Sequence, residues 1–64
     1  MKLTRKNKEG RIIPETYYSI DHKFEIEKCN SWWNVYELTN FGTYETYRYS
    51  FSCDTLKECR ESLD

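Results

Sequence analysis

Three β-prone segments separated by turn chemistry, followed by one short capped helix, fix most of what this chain can fold into. The segments are FEIEKC over 24–29, WWNVYEL over 32–38 and YETYRYSF over 44–51, and the helical run is TLKECRESL over 55–63. In the first, Phe24 and Ile26 alternate with Glu25 and Glu27, the period-two pattern of a half-buried strand with its carboxylates outward. Asn30-Ser31 then turns the chain, because both side chains bond nearby backbone and Asn tolerates positive φ. The next segment pairs back. Two parities are open there, Trp33 and Val35 inward or Trp32, Tyr36 and Leu38 inward, since a one-residue slip exchanges the faces. The reading adopted puts Trp33 and Val35 inward. After a turn at Thr39-Asn40-Phe41-Gly42, the odd positions Tyr47, Tyr49 and Phe51 form an aromatic face set toward the core. A short run at Tyr17–Ile20, ended by the polar turn Asp21-His22-Lys23, supplies a candidate fourth strand.

The helix carries the clearest local signals. Thr55-Leu56-Lys57-Glu58 fits a capping box, in which the Thr hydroxyl accepts from the third helical amide while Glu58 reaches back. Leu56, Cys59 and Leu63 fall on one narrow apolar stripe. A helix this short cannot stand alone, so it must lie on one face of the sheet. The expected fold is α+β: a three- to four-stranded antiparallel meander with one C-terminal helix packed on one face. Residues 16–64 form the domain and residues 1–15 a basic, partly flexible arm.

Sixty-four residues make at most one domain, which buries only about 60% of its unfolded surface. Hydrophobic residues are 38% of the chain and charged residues 33%, a balance that leans toward disorder. Aromatics at 17% tip it back, since each ring buries a large area. No apolar run approaches the ~20 residues of a membrane span, and the basic N-terminus has no apolar stretch after it, so a cytoplasmic chain without a membrane partner is expected. Cys29, Cys53 and Cys59 lack paired metal-site spacing and read as reduced thiols, with no metal and no cofactor. One histidine, two glycines and no phosphate loop leave no catalytic constellation. The chain is too small for a deep pocket, so neither an enzyme nor a small-molecule substrate is expected.

Charge is uneven. Residues 1–11 hold five basic groups, Lys2, Arg5, Lys6, Lys8 and Arg11, against Glu9, for +4; the remainder is −5. The arm is the candidate nucleic-acid contact, but an acidic body and the outward Glu25 and Glu27 repel phosphate. The sheet has a second face that the helix does not cover. On the adopted parity it holds Glu25, Glu27, Trp32, Tyr36, Tyr44 and Arg48, and Trp, Tyr and Arg are the types enriched at protein-binding hot spots. The expectation is therefore a non-catalytic module that engages another protein through this aromatic and acidic face. Self-association as a homodimer and nucleic-acid binding through the arm are the alternatives.

The run Trp33, Val35, Tyr36, then Phe51, then Thr55, Leu56, Lys57, Glu58, Cys59 and Leu63 resembles a layout recurrent in very small accessory proteins of bacteriophages and other bacterial mobile elements. Those proteins more often carry Ala where this chain has Cys59. The likeness covers roughly the last 40 residues and leaves the first 23 unmatched. It implies a bacterial, phage-like setting and a non-enzymatic accessory role, of which inhibition of a host protein is the most specific version. Some proteins of that kind inhibit CRISPR effectors, which handle nucleic acid.

Overall fold

Residues with positive φ close the hairpins of this chain. His22 (φ 60°), Asn30 (φ 57°) and Gly42 (φ 86°) each sit between two strands. Only glycine takes that region freely, and Asn is the best of the rest. The computed structural model describes residues 1–64. Its strands are β1 (Leu3–Thr4), β2 (Thr16–Ser19), β3 (Phe24–Cys29), β4 (Trp32–Asn40) and β5 (Glu45–Cys53), followed by helix α1 (Leu56–Ser62). All five strands lie in one antiparallel sheet in chain order. No helix is long and apolar enough to cross a membrane.

The class is α+β as the sequence implies, but with five strands where three or four were expected. The fifth is β1, drawn from the segment read as an arm. Leu3 pairs with Ser19 and Thr4 with Tyr18. Two residues at an edge place no demand on Gly10 or Pro14, which argue only against a central strand there.

Cross-strand register sorts the side chains. Tyr17, Ile26, Val35 and Phe51 stand in one row, and Lys28, Trp33 and Cys53 in another. These rows face α1. Thr55 caps the helix from an extended conformation, its hydroxyl accepting from the Glu58 amide at 3.1 Å. The apolar stripe lands as the spacing requires: Ile26, Val35 and Cys59 are fully buried, with Leu3, Tyr17, Phe24, Trp33, Phe51, Cys53, Leu56 and Leu63 packed around them. Trp33 and Val35 point inward, which resolves the two parities of β4.

The parity of β5 corrects the reading of its aromatic face. Val35 opposes Phe51, whereas the next residue, Tyr36, opposes Tyr49. Ser50 is therefore an extra residue, a β-bulge. Past it the alternation inverts, so Phe51 faces the helix while Tyr47 and Tyr49 face away. Arg48 moves the other way. It opposes Glu37 on the helix side, its guanidinium 5.5 Å from the Phe41 ring. Tyr44 lies before β5, in the turn, stacked on Phe41 at 5.4 Å. Neither Tyr44 nor Arg48 belongs to the face on which the sequence reading set them.

Candidate functional site

The face of the sheet away from α1 is built from two cross-strand rows. One runs Tyr18, Glu25, Tyr36, Tyr49; the other runs Thr16, Glu27, Asn34, Ser52. Cys29 and Trp32 pair at the margin. Of the six residues expected to make a protein-binding surface, Glu25, Glu27, Trp32 and Tyr36 are together here, and Tyr44 and Arg48 are not.

The first fifteen residues cover part of this face. Lys6 bridges to Ile12 in a small hairpin. Asn7 folds its loop, its side-chain oxygen accepting from the amides of Glu9 at 3.0 Å and Arg11 at 2.9 Å. The hairpin reaches the rest of the sheet at two points. His22 Nε2 lies 3.0 Å from the Lys6 carbonyl, which can only accept, so Nε2 carries the proton. Lys8 reaches Glu45 at 3.4 Å. Beneath the hairpin Tyr18 is only 3% exposed, with His22 and Tyr47 rings against it. Burial, and then the Glu25 charge, push the Tyr18 hydroxyl up to about 12. Desolvation likewise raises the Glu25 carboxyl above its ordinary range; the neighbouring Tyr18 hydroxyl opposes the rise and repulsion from Glu27 adds to it. Glu25 is thus a half-buried group opposite Tyr18, rather than a free acidic contact.

The remainder of the face stays open and is internally organised. Trp32 Nε1 donates to Asn34 Oδ1 at 3.1 Å. Ser52 Oγ donates to the same oxygen at 2.6 Å. The Tyr49 hydroxyl meets Ser52 Oγ at 2.8 Å, and the Tyr49 ring stands edge-on to Tyr36 at 6.1 Å. Two of these rings are well exposed, Trp32 at 39% and Tyr49 at 60%. Hydrogen bonds and ring contact hold each large side chain in one arrangement, so little rotamer entropy is left to lose on association.

Asn34, Tyr49 and Ser52 were not anticipated as site residues. Alternation along β4 from Trp32 to Tyr36 points to Asn34. Tyr49 and Ser52 share that face only through the bulge, for which the sequence carries no signal beyond a serine between two rings.

The basic residues divide. Arg5 turns to the helix side, 5.8 Å from the Tyr17 ring, while Lys8 binds Glu45 on the opposite side. With Lys2, Lys6 and Arg11 they do not gather on one surface. The cysteines divide as well: Cys29 is on the open face, and Cys53 and Cys59 are on the helix side. Under the N-terminal hairpin a cleft of about 310 Å³ opens between residues 7–9 and the ends of β4 and β5. The sequence reading expected no such depth; the folded-back hairpin supplies one wall. Comparisons of the chain with protein-family models, with curated proteins and with solved structures return no match.

Proposed function

We propose that this protein is a non-catalytic module that binds another protein through the open sheet face, with Trp32, Tyr36 and Tyr49 as its anchors. The observation that carries this reading is the bonded chain Trp32–Asn34–Ser52–Tyr49, which fixes exposed rings in place. Large, pre-set aromatic groups on a flat surface suit a protein partner, because they add contact area at low ordering cost. The exposed Glu27 borders them and favours a partner of basic character, since complementary charge speeds encounter and sets register. A partner surface of that kind normally holds nucleic acid. Together with the resemblance to phage accessory proteins, this gives the most specific form of the proposal: inhibition of a host nucleic-acid-handling protein, such as a CRISPR effector, by occupancy.

Capture from bacterial lysate tests it when wild type is run beside Trp32→Ala and Tyr49→Ala. A partner retained by wild type and lost by both variants, with unchanged circular dichroism, supports the reading; equal retention by all three sinks it. The exposed rings would also suit stacked bases of single-stranded nucleic acid. Binding to generic DNA and RNA at low and high salt separates the two. A steep salt dependence, reduced by Lys6→Gln and Arg11→Gln, belongs to the nucleic-acid reading.

A further inference from the structure

The cleft under the N-terminal hairpin has a composition that selects its ligand. Its floor is Leu38, Tyr18 and Tyr47, and its rim holds Glu9, Glu45 and Lys8. Tyr47 cannot swing away, because its hydroxyl donates to the His22 carbonyl at 2.6 Å. An apolar, ring-lined floor below a carboxylate rim suits a ligand with a short apolar stem and a cationic head. The rim already holds a cation of that kind. Lys8 Nζ approaches Glu45 Oε2 at 3.4 Å, both side chains 49% exposed. An ion pair so exposed contributes little, so an incoming cation can replace it. The surrounding field has the same sign. The Tyr47 hydroxyl is raised above its ordinary value, first by burial and then by the charges of Glu25, Glu45, Glu9 and Asp21.

We infer that this cleft is a binding site for a guanidinium group on an alkyl stem, the head held by Glu45 and Glu9 and the stem lying over Leu38 and Tyr47. A guanidinium is favoured over an ammonium because its planar fork matches carboxylates and its face packs on rings. Two sources can present it, an arginine side chain of a protein or a free alkylguanidine. Leu38 and Tyr47 lie two residues along β4 and β5 from Tyr36 and Tyr49, so the cleft adjoins the open face. An arginine delivered by a partner would deepen the protein-binding reading and rest on it; a free alkylguanidine would not need it.

The test is an amide NMR titration of the full chain at constant ionic strength with three probes: agmatine, the capped tripeptide Gly-Arg-Gly, and the same tripeptide carrying citrulline in place of arginine. Saturable shifts confined to residues 7–9, 18, 38 and 45–47 with a guanidinium probe, and none with citrulline, are expected. Binding by the tripeptide at least as tight as by agmatine assigns the source to a protein side chain; binding by agmatine alone assigns it to a free alkylguanidine. Glu45→Gln should weaken binding about tenfold through loss of a charge-assisted pair. Lys8→Ala should tighten it about threefold by removing the internal competitor. No saturable shift with either guanidinium probe, equal shifts with citrulline, or weaker binding by Lys8→Ala would overturn the site. Those outcomes leave the Trp32 and Tyr49 capture experiment untouched, so the two proposals fail separately.

Discussion

At the scale of single residues, the groups under cover differ from those in the open in how they answer pH. Tyr18 and Cys59 are both buried, and desolvation, the leading cause in each, pushes the Tyr18 hydroxyl from 10.0 up to about 12 and raises the Cys59 thiol above its ordinary 9.0. A group whose folded value lies above its unfolded value contributes stability that is complete below the unfolded value and is lost as pH climbs toward the folded one. Tyr18 sets that window at pH 10 to 12, and Cys59 opens it one unit lower. The melting temperature should therefore fall steeply through this alkaline range. The double variant Tyr18→Phe, Cys59→Ala should flatten the fall, even though losing the buried sulfur lowers its starting value. Thermal melts of the two chains across the window decide it: parallel slopes mean that other groups control alkaline unfolding.

At the scale of elements, the bulge in β5 determines what the open face contains. Ser50 is the unpaired extra residue, and it sends Tyr49 and Tyr47 to one side and Phe51 to the other. Deleting Ser50 removes the extra residue and leaves Phe51 opposite Val35 and Tyr49 opposite Tyr36 in unbroken alternation. Every ring keeps its face, so the deletion variant should keep a cooperative melt. Ser50→Ala, which keeps the bulge, should shift stability by no more than about 0.5 kcal/mol. A deletion variant that loses its cooperative melt would show that the bulge itself, rather than the pairing on either side of it, holds β5 in place. At the helix, Thr55→Ala should cost about 1 kcal/mol, the usual loss for an N-cap hydroxyl, read from the urea midpoint; an unchanged midpoint would mean that the 3.1 Å cap bond to Glu58 contributes nothing. These two elements also mark what the sequence made legible. The helix, its cap and its stripe depend on residues within one or two turns of each other, and local spacing specifies them. Phe24, Ile26, Trp33 and Val35 obey simple alternation and fall inward as it predicts. Alternation cannot count an extra residue, which is why Tyr47, Tyr49 and Arg48 were set on the wrong sides and Tyr49 was missed as an anchor. Tyr44 was misplaced because the turn runs past Gly42, with the Phe41 amide bonded to the Tyr44 carbonyl at 2.8 Å.

At the scale of the whole molecule, a thin core makes the N-terminal segment structural. Six of 64 residues are buried, and three of them, Thr16, Tyr18 and Ser19, are on β2, the strand that β1 flanks. Composition alone favours a solvated arm here, since five basic groups in eleven residues predict no burial. What holds the segment is non-local: Leu3 against the core cluster, the Lys6 carbonyl on His22, and the hairpin over Tyr18. Removing residues 1–11 should therefore expose Tyr18 and one side of the core. Uncovering a large side chain costs about 1.5–3 kcal/mol, and losing the Leu3 contact adds to it. Against a total of about 5 kcal/mol, the low end for native domains, this predicts a chain that is largely unfolded or barely folded at 25 °C. The measurement is urea denaturation of residues 12–64 beside the full chain, with Lys6→Gln, Arg11→Gln as a control that keeps the segment and removes charge. The control should stay within about 0.5 kcal/mol of wild type, because neither side chain forms an ion pair. If the truncated chain instead keeps the midpoint and slope of the full one, the hairpin is an appendage, Tyr18 does not need its roof, and the cleft loses the wall that gives it depth.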